Sequence, residues 1–169
     1  MGDCTNALKQ WTGKQSATIL FDSNADEFTA DGFFDKIQGK PNIAVIGITT
    51  DGDVFGGFYS RAVDTQNGYS DPNIFAFSFE SHGRCKTPQK FDLKPWMKIR
   101  SGVFLWKNHN KGFIWFYVHD LWGFWLGNEK SYSCCRDVSS SFRRLEDTTL
   151  SGKNLEPYRN IRLVAVQLH

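Results

Sequence analysis

Residues 50–60 read TDGDVFGGFYS, and the fold turns on how this stretch is read. Asp51 and Asp53 flank Gly52, and the pair Gly56-Gly57 sits between Phe55 and Phe58. Three structures compete for it. A calcium loop of the EF-hand kind needs oxygen ligands at its first, third and fifth positions, glycine at the sixth and glutamate at the twelfth. DGDVFGG supplies the first two and then fails. A phosphate cradle needs its glycines between a strand and the N-terminus of a helix. Here the glycines run from strand to strand. A hairpin needs Asp-Gly between two apolar runs, because glycine takes a positive φ at no steric cost. ITT-DG-DVF fits that requirement. Gly56 and Gly57 then fall inside the second strand, where glycine weakens the strand unless something large packs over it or the strand bulges.

The neighbouring segments extend this pattern. NIAVIGITT (42–50) is continuously apolar and β-branched, as a strand covered on both faces should be. SATILFD (16–22) reads as another strand. Between them, Thr29 is placed to cap a helix over 30–38, with Phe33, Phe34 and Ile37 at helical spacing and Gly39 and Pro41 as stops. IFAFSFES (74–81) alternates, with Phe75, Phe77 and Phe79 on one face and Ala76 and Ser78 on the other. VFLWK and FIWFYVHD flank NHNKG as a second hairpin, and LWGFWLG (121–127) adds a strand. NIRLVAVQLH (160–169) has Ile161, Leu163 and Ala165 on one face and Val164, Val166 and Leu168 on the other. Residues 61–73, 82–95 and 131–154 read mainly as loops. Strands follow strands through turns, which predicts a mostly-β fold with accessory helices, of the α+β class. The expected architecture is a two-sheet antiparallel β-sandwich. Residues 1–14 read as an N-terminal extension and 15–169 as one domain.

The bulk numbers agree with a packed domain. With 169 residues, 15 phenylalanines and six tryptophans, the chain can bury about two-thirds of its unfolded surface. The net charge of +2 and pI near 8.3 fall short of the basic footprint expected of a nucleic-acid binder. Cys4, Cys85, Cys134 and Cys135 read as free thiols of a reducing compartment. The N-terminus has no apolar core of signal-peptide length. Asn6 stands where a myristoylation signal wants Ser or Thr, and no apolar run is long enough to span a membrane. A cytoplasmic protein is expected.

DGDVFGGFYS (51–60) resembles the NG-x-V-F-G-G-[FY]-[TS]-S segment of the TLDc family. FTADGFFDKIQGKPNIAVIGITT resembles that family's helix and following strand. SDPNIFAFSFES resembles its next strand, NEKSYSCCRD its NxxSYS segment and LVAVQL its closing strand. The resemblance runs from about residue 15 to 168. It lays the family motif on Asp51, Gly52, Phe55, Gly56, Gly57 and Phe58, and again on Ser131, Tyr132 and Ser133. One segment departs. Where the family carries F-G-x-G-x-D-L this chain has FYVHDLWGFWLG, which matches well only at Asp120-Leu121. The resemblance implies a non-catalytic role in resistance to oxidative stress. It also implies binding to subunits of the vacuolar proton-pumping ATPase, with no cofactor.

Other chemistries find less support in the residues. His82-x-x-Cys85 has zinc-ligand spacing, but adjacent Cys134 and Cys135 do not suit a second ligand pair. Cys134 and Cys135 beside Arg136 are candidate redox thiols if exposed. There is no G-x-S-x-G elbow for a serine nucleophile. His109 falls in a turn, and His119 beside Asp120 is a neighbour pair of the kind usual in loops. KGFIWFYV (111–118) touches an RNA-recognition pattern at Lys111, Gly112, Phe113 and Trp115, but lacks the alternating helices of that fold. Arg143-Arg144 and scattered lysines leave open a DNA-binding regulator that uses phosphate contacts alone.

Overall fold

The computed structural model describes residues 1–63, 68–107, 112–119, 122–131 and 133–169. The chain begins with α1 (Gly2–Thr12), β1 (Ala17–Asp22), α2 (Ala30–Ile37), β2 (Ile43–Thr49) and β3 (Val54–Tyr59). It continues through β4 (Gly68–Ser70), β5 (Phe75–Glu80), β6 (Gln89–Asp92), a 3-10 helix (Pro95–Arg100) and β7 (Ser101–Leu105). Then come β8 (Ile114–Val118), β9 (Trp122–Leu126), β10 (Ser133–Arg136), α3 (Val138–Ser141), β11 (Pro157–Tyr158) and β12 (Asn160–Leu168).

The strands form two antiparallel sheets, in the orders β1-β12-β2-β3-β5-β6 and β11-β10-β9-β8-β7-β4. The expected α+β sandwich is therefore the fold. The main core unites the inner faces of both sheets with α2, which contributes Phe33, Phe34 and Ile37. Thr29 caps α2, its hydroxyl accepting the Gly32 N–H at 3.1 Å.

A second apolar layer lies on the outer face of the first sheet. Leu8 and Trp11 of α1 pack there on Ala44, Ile46, Val164 and the phenylalanines of β5. Trp11 stacks on Phe79 at 5.7 Å between ring centroids and meets Phe75 edge-on at 6.3 Å. This explains why β2 and the Leu163–Val166 stretch of β12 are apolar on both faces: each is covered by the main core on one face and by this layer on the other. It also decides the alternation in β5, where the phenylalanines face α1 and Ala76 faces the main core. The first fourteen residues, read as an extension, thus supply a helix that packs on the sheet.

Several expectations need correction. The stretches 61–73 and 82–95, read as loops, contain the edge strands Gly68–Ser70 and Gln89–Asp92, which pair with β7 and β5. Ile161 does not share the buried face of Leu163 and Ala165. A register shift between Asn160 and Arg162 leaves it 48% exposed. The stretch 131–154 is not simply loop: Ser133–Arg136 is a strand between β9 and β11, and Val138–Ser141 is a short helix.

The outer face of the second sheet carries an aromatic ladder. Trp115 stacks between Trp106, at 6.3 Å, and Trp125, at 4.9 Å, with planes within 7° of parallel. The Arg136 guanidinium lies 6.0 Å over Trp125.

Candidate functional site

The hairpin of residues 50–60 is built as its residues dictate. The Thr49 N–H donates to the Asp53 carbonyl at 3.0 Å, and the Gly52 N–H to the Thr49 carbonyl at 3.0 Å. Gly52 has φ +88°, the conformation that Asp-Gly provides. Inside β3, a β-carbon on Gly57 would lie 2.7–2.8 Å from the ring of Phe116 in the opposite sheet. One on Gly56 would lie 1.8 Å from the Val45 carbonyl oxygen. The glycine pair lets β3 sit close to both neighbours. Phe55 is fully buried against Phe124 and Tyr158, and Phe58 stacks on Phe75 at 4.9 Å.

The turn is fastened by ion pairing. Asp53 is buried, and its carboxylate accepts from the Arg84 guanidinium. Arg84 also donates to the carbonyls of Thr149, at 3.0 Å, and Leu150, at 3.2 Å. One arginine thereby joins the β2–β3 turn, the 81–85 loop and the 146–152 loop. His82 Nε2 lies 2.8 Å from the Asp51 carbonyl and 3.6 Å from Asp53. The nearby Ser81 hydroxyl donates to the Cys85 carbonyl at 3.2 Å and accepts the Cys85 N–H at 3.1 Å. Sequence reading found Asp51, Gly52 and His82 but missed Arg84. The signal available was an acidic residue entering a buried strand, which demands a cation without saying which.

The second motif segment is also internal. The Asn128 carboxamide oxygen accepts from the N–H groups of Lys130 and Ser131, while its Nδ2 donates to the Phe28 carbonyl at 3.1 Å. The Ser131 hydroxyl closes the turn on the Asn128 N–H at 2.8 Å. Ser133 is buried, and its hydroxyl accepts from Asn160 Nδ2 at 3.5 Å. Tyr132, His109, Lys111 and the Asp120-Leu121 match lie outside the described residues.

The candidate thiols sit in the core. Cys134 is 1% exposed and Cys135 fully buried. Burial pushes the Cys135 thiol up to about 12, although the Ser151 hydroxyl partly opposes it. A reactive thiol needs the reverse, an exposed and depressed group. The zinc set does not assemble either. Among the described residues no three His, Cys, Asp or Glu side chains gather as a metal site. Of the RNA-like stretch, Phe113, Ile114, Phe116 and Val118 belong to the core, and Trp115 to the stacked outer ladder.

A cleft of about 520 Å3 opens between the end of α1, the rings of Phe58 and Phe75, and the 3-10 helix. No helix among the described residues is long and apolar enough to cross a membrane.

This architecture defines an α+β protein of the two-sheet sandwich class, with its motif residues woven into the sheets and turns. The TLDc domain model matches residues 4–159, and the chain belongs to the TLDc family. That family is linked generally to resistance to oxidative stress. No curated protein matches the chain.

Proposed function

We propose that this domain works without catalysis, as a cytoplasmic protein-binding module that supports oxidative-stress resistance. Its proposed partner is the soluble sector of the vacuolar proton-pumping ATPase. The observation that carries the proposal is the use made of the motif residues. Gly57 receives the Phe116 ring, the turn acid Asp53 is consumed by Arg84, and Ser131 closes a turn. These groups build a rigid scaffold and leave recognition to the shape and charge of its surface, as an interaction domain requires. The redox alternative loses support from the burial of Cys134 and Cys135.

The test is affinity capture from a native lysate with membranes included. Recovery of the pump's soluble-sector subunits supports the proposal. Reproducible recovery of chromatin proteins instead would move the reading to DNA binding. Purified pump sector that fails to bind the domain would end the ATPase reading.

A further inference from the structure

The 3-10 helix Pro95–Arg100 presents three different faces. Such a helix turns once in about three residues, so positions i and i+3 share a side. Pro95 and Lys98 line the cleft. Met97 is the buried anchor at 9% exposure. Trp96 and Ile99 share the remaining side and stand 67% and 83% exposed, above every other large apolar side chain among the described residues. A tryptophan and an isoleucine held this far into water point to an apolar contact.

Cations surround that pair. Lys94, Lys98 and Arg100 interleave with it in the sequence, and the Lys94 ammonium lies 6.0 Å over the Trp96 ring. In the cleft behind, Lys14, Lys90 and Arg143 join Lys98, against the single carboxylate of Asp92. Lys90 pairs with Asp92 at 3.0 Å, while Lys14, Lys98 and Arg143 make no ion pair among the described residues. The whole chain carries only +2, so this concentration is local.

We infer that this face docks on an anionic phospholipid bilayer. Trp96 and Ile99 enter the interfacial layer, and Lys98, Arg143 and Lys14 meet headgroup phosphates at the mouth of the cleft. Charge complementarity selects this occupant. A bilayer surface stacks an apolar layer beneath a phosphate layer, and tryptophan settles at their boundary. A protein interface depletes charge around its apolar centre. A free phosphate compound would engage the cations and leave Trp96 and Ile99 in water. The contact is shallow and reversible, since a few side chains anchor it.

The experiment is co-sedimentation of the full chain with vesicles of phosphatidylcholine alone, or with roughly a third phosphatidylserine. Binding should require the anionic lipid and weaken with salt. Trp96→Ser with Ile99→Ser should lower it on the order of tenfold or more. Lys98→Gln with Arg143→Gln should lower it on the order of tenfold. Lipids brominated near the headgroup should quench the wild type more than Trp96→Phe. All these positions are exposed, so melting temperatures should not move, and a variant that does melt early is replaced by Ile99→Asn alone. The absence of wild-type binding at low salt would overturn the inference. So would binding that survives loss of Trp96 and Ile99, or that inorganic phosphate displaces completely where sodium chloride at the same ionic strength does not. Vesicles contain no protein, so this result is independent of the ATPase proposal. If the Trp96 and Ile99 variants lose pump subunits while wild type ignores vesicles, the face is a protein interface and the inference fails.

Discussion

The ring of Phe116 occupies the place where any residue but glycine at position 57 would put its β-carbon. The two residues lie in opposite sheets, so their contact sets how closely the sheets approach at the centre of the core. Gly57→Ala should destabilise the domain by about 1–3 kcal/mol through overpacking. Gly57→Ala combined with Phe116→Leu should cost less than the sum of the single changes. Denaturant melts of the four proteins check this, and strict additivity would contradict the contact.

Arg84 leaves a different signature. Arg84→Met strands the Asp53 carboxylate in the core and should cost about 3 kcal/mol or more. Arg84→Met with Asp53→Leu should recover much of that loss, because no unpaired charge remains. Thermal unfolding with a double-mutant cycle reads both numbers.

The thiols should react in an order set by burial. Maleimide at pH 8 should label half-buried Cys4 and Cys85 on the native protein, and Cys134 and Cys135 only on unfolding. Mass spectrometry of the labelled peptides decides it. Peroxide consumption should be unchanged by Cys134→Ser and Cys135→Ser.

Asp22 gives a pH dependence with a definite sign. Arg162 grips its carboxylate through two hydrogen bonds, of 3.0 and 2.6 Å, and holds it below its ordinary value. A depressed carboxyl contributes stability above its unfolded pKa of about 3.9, and loses it as pH falls through the folded value. The stability gap between wild type and Asp22→Asn should be full near neutrality and close as the solution is acidified below about pH 4. A gap that widens on acidification would contradict the assignment.

The helix α1 should matter to the sheet beneath it. Leu8 is fully buried, and Leu8→Ala should cost about 2–5 kcal/mol. Deleting residues 1–12 should bare Phe75, Phe77 and Phe79 and raise the binding of a hydrophobic dye.

Much of this fold was legible because particular residues left strong local signals. Asp51-Gly52 marked the hairpin, Thr29 the start of α2, and the alternation in 74–81 the strand β5. The unreadable parts depended on neighbours. In α1 the buried residues are Ala7 and Leu8, with Trp11 packed on the sheet cluster, an apolar stripe too thin to stand out from a polar extension. Ser133–Arg136 looks polar, and it is a strand because β9 and β11 pair with it. The clamp on Asp53 joins residues 31 positions apart, and periodicity carries no such information. The same holds for the exposed Trp96 and Ile99, whose spacing became meaningful once PWMKIR proved to be a 3-10 helix.

The placement of β12 between β1 and β2 has a consequence for synthesis. Residues 17–22 leave the ribosome before β2 to β11, and their ladder partner, residues 160–168, follows only after all of them. At roughly 5–20 residues per second, β1 waits on the order of ten to thirty seconds for it. Meanwhile the facing edges of β1 and β2 stand open to strands of other nascent chains. Translation of this domain therefore has a window of vulnerability that the last strand closes, and a stall shortly before residue 160 would leave the first sheet to the chaperones.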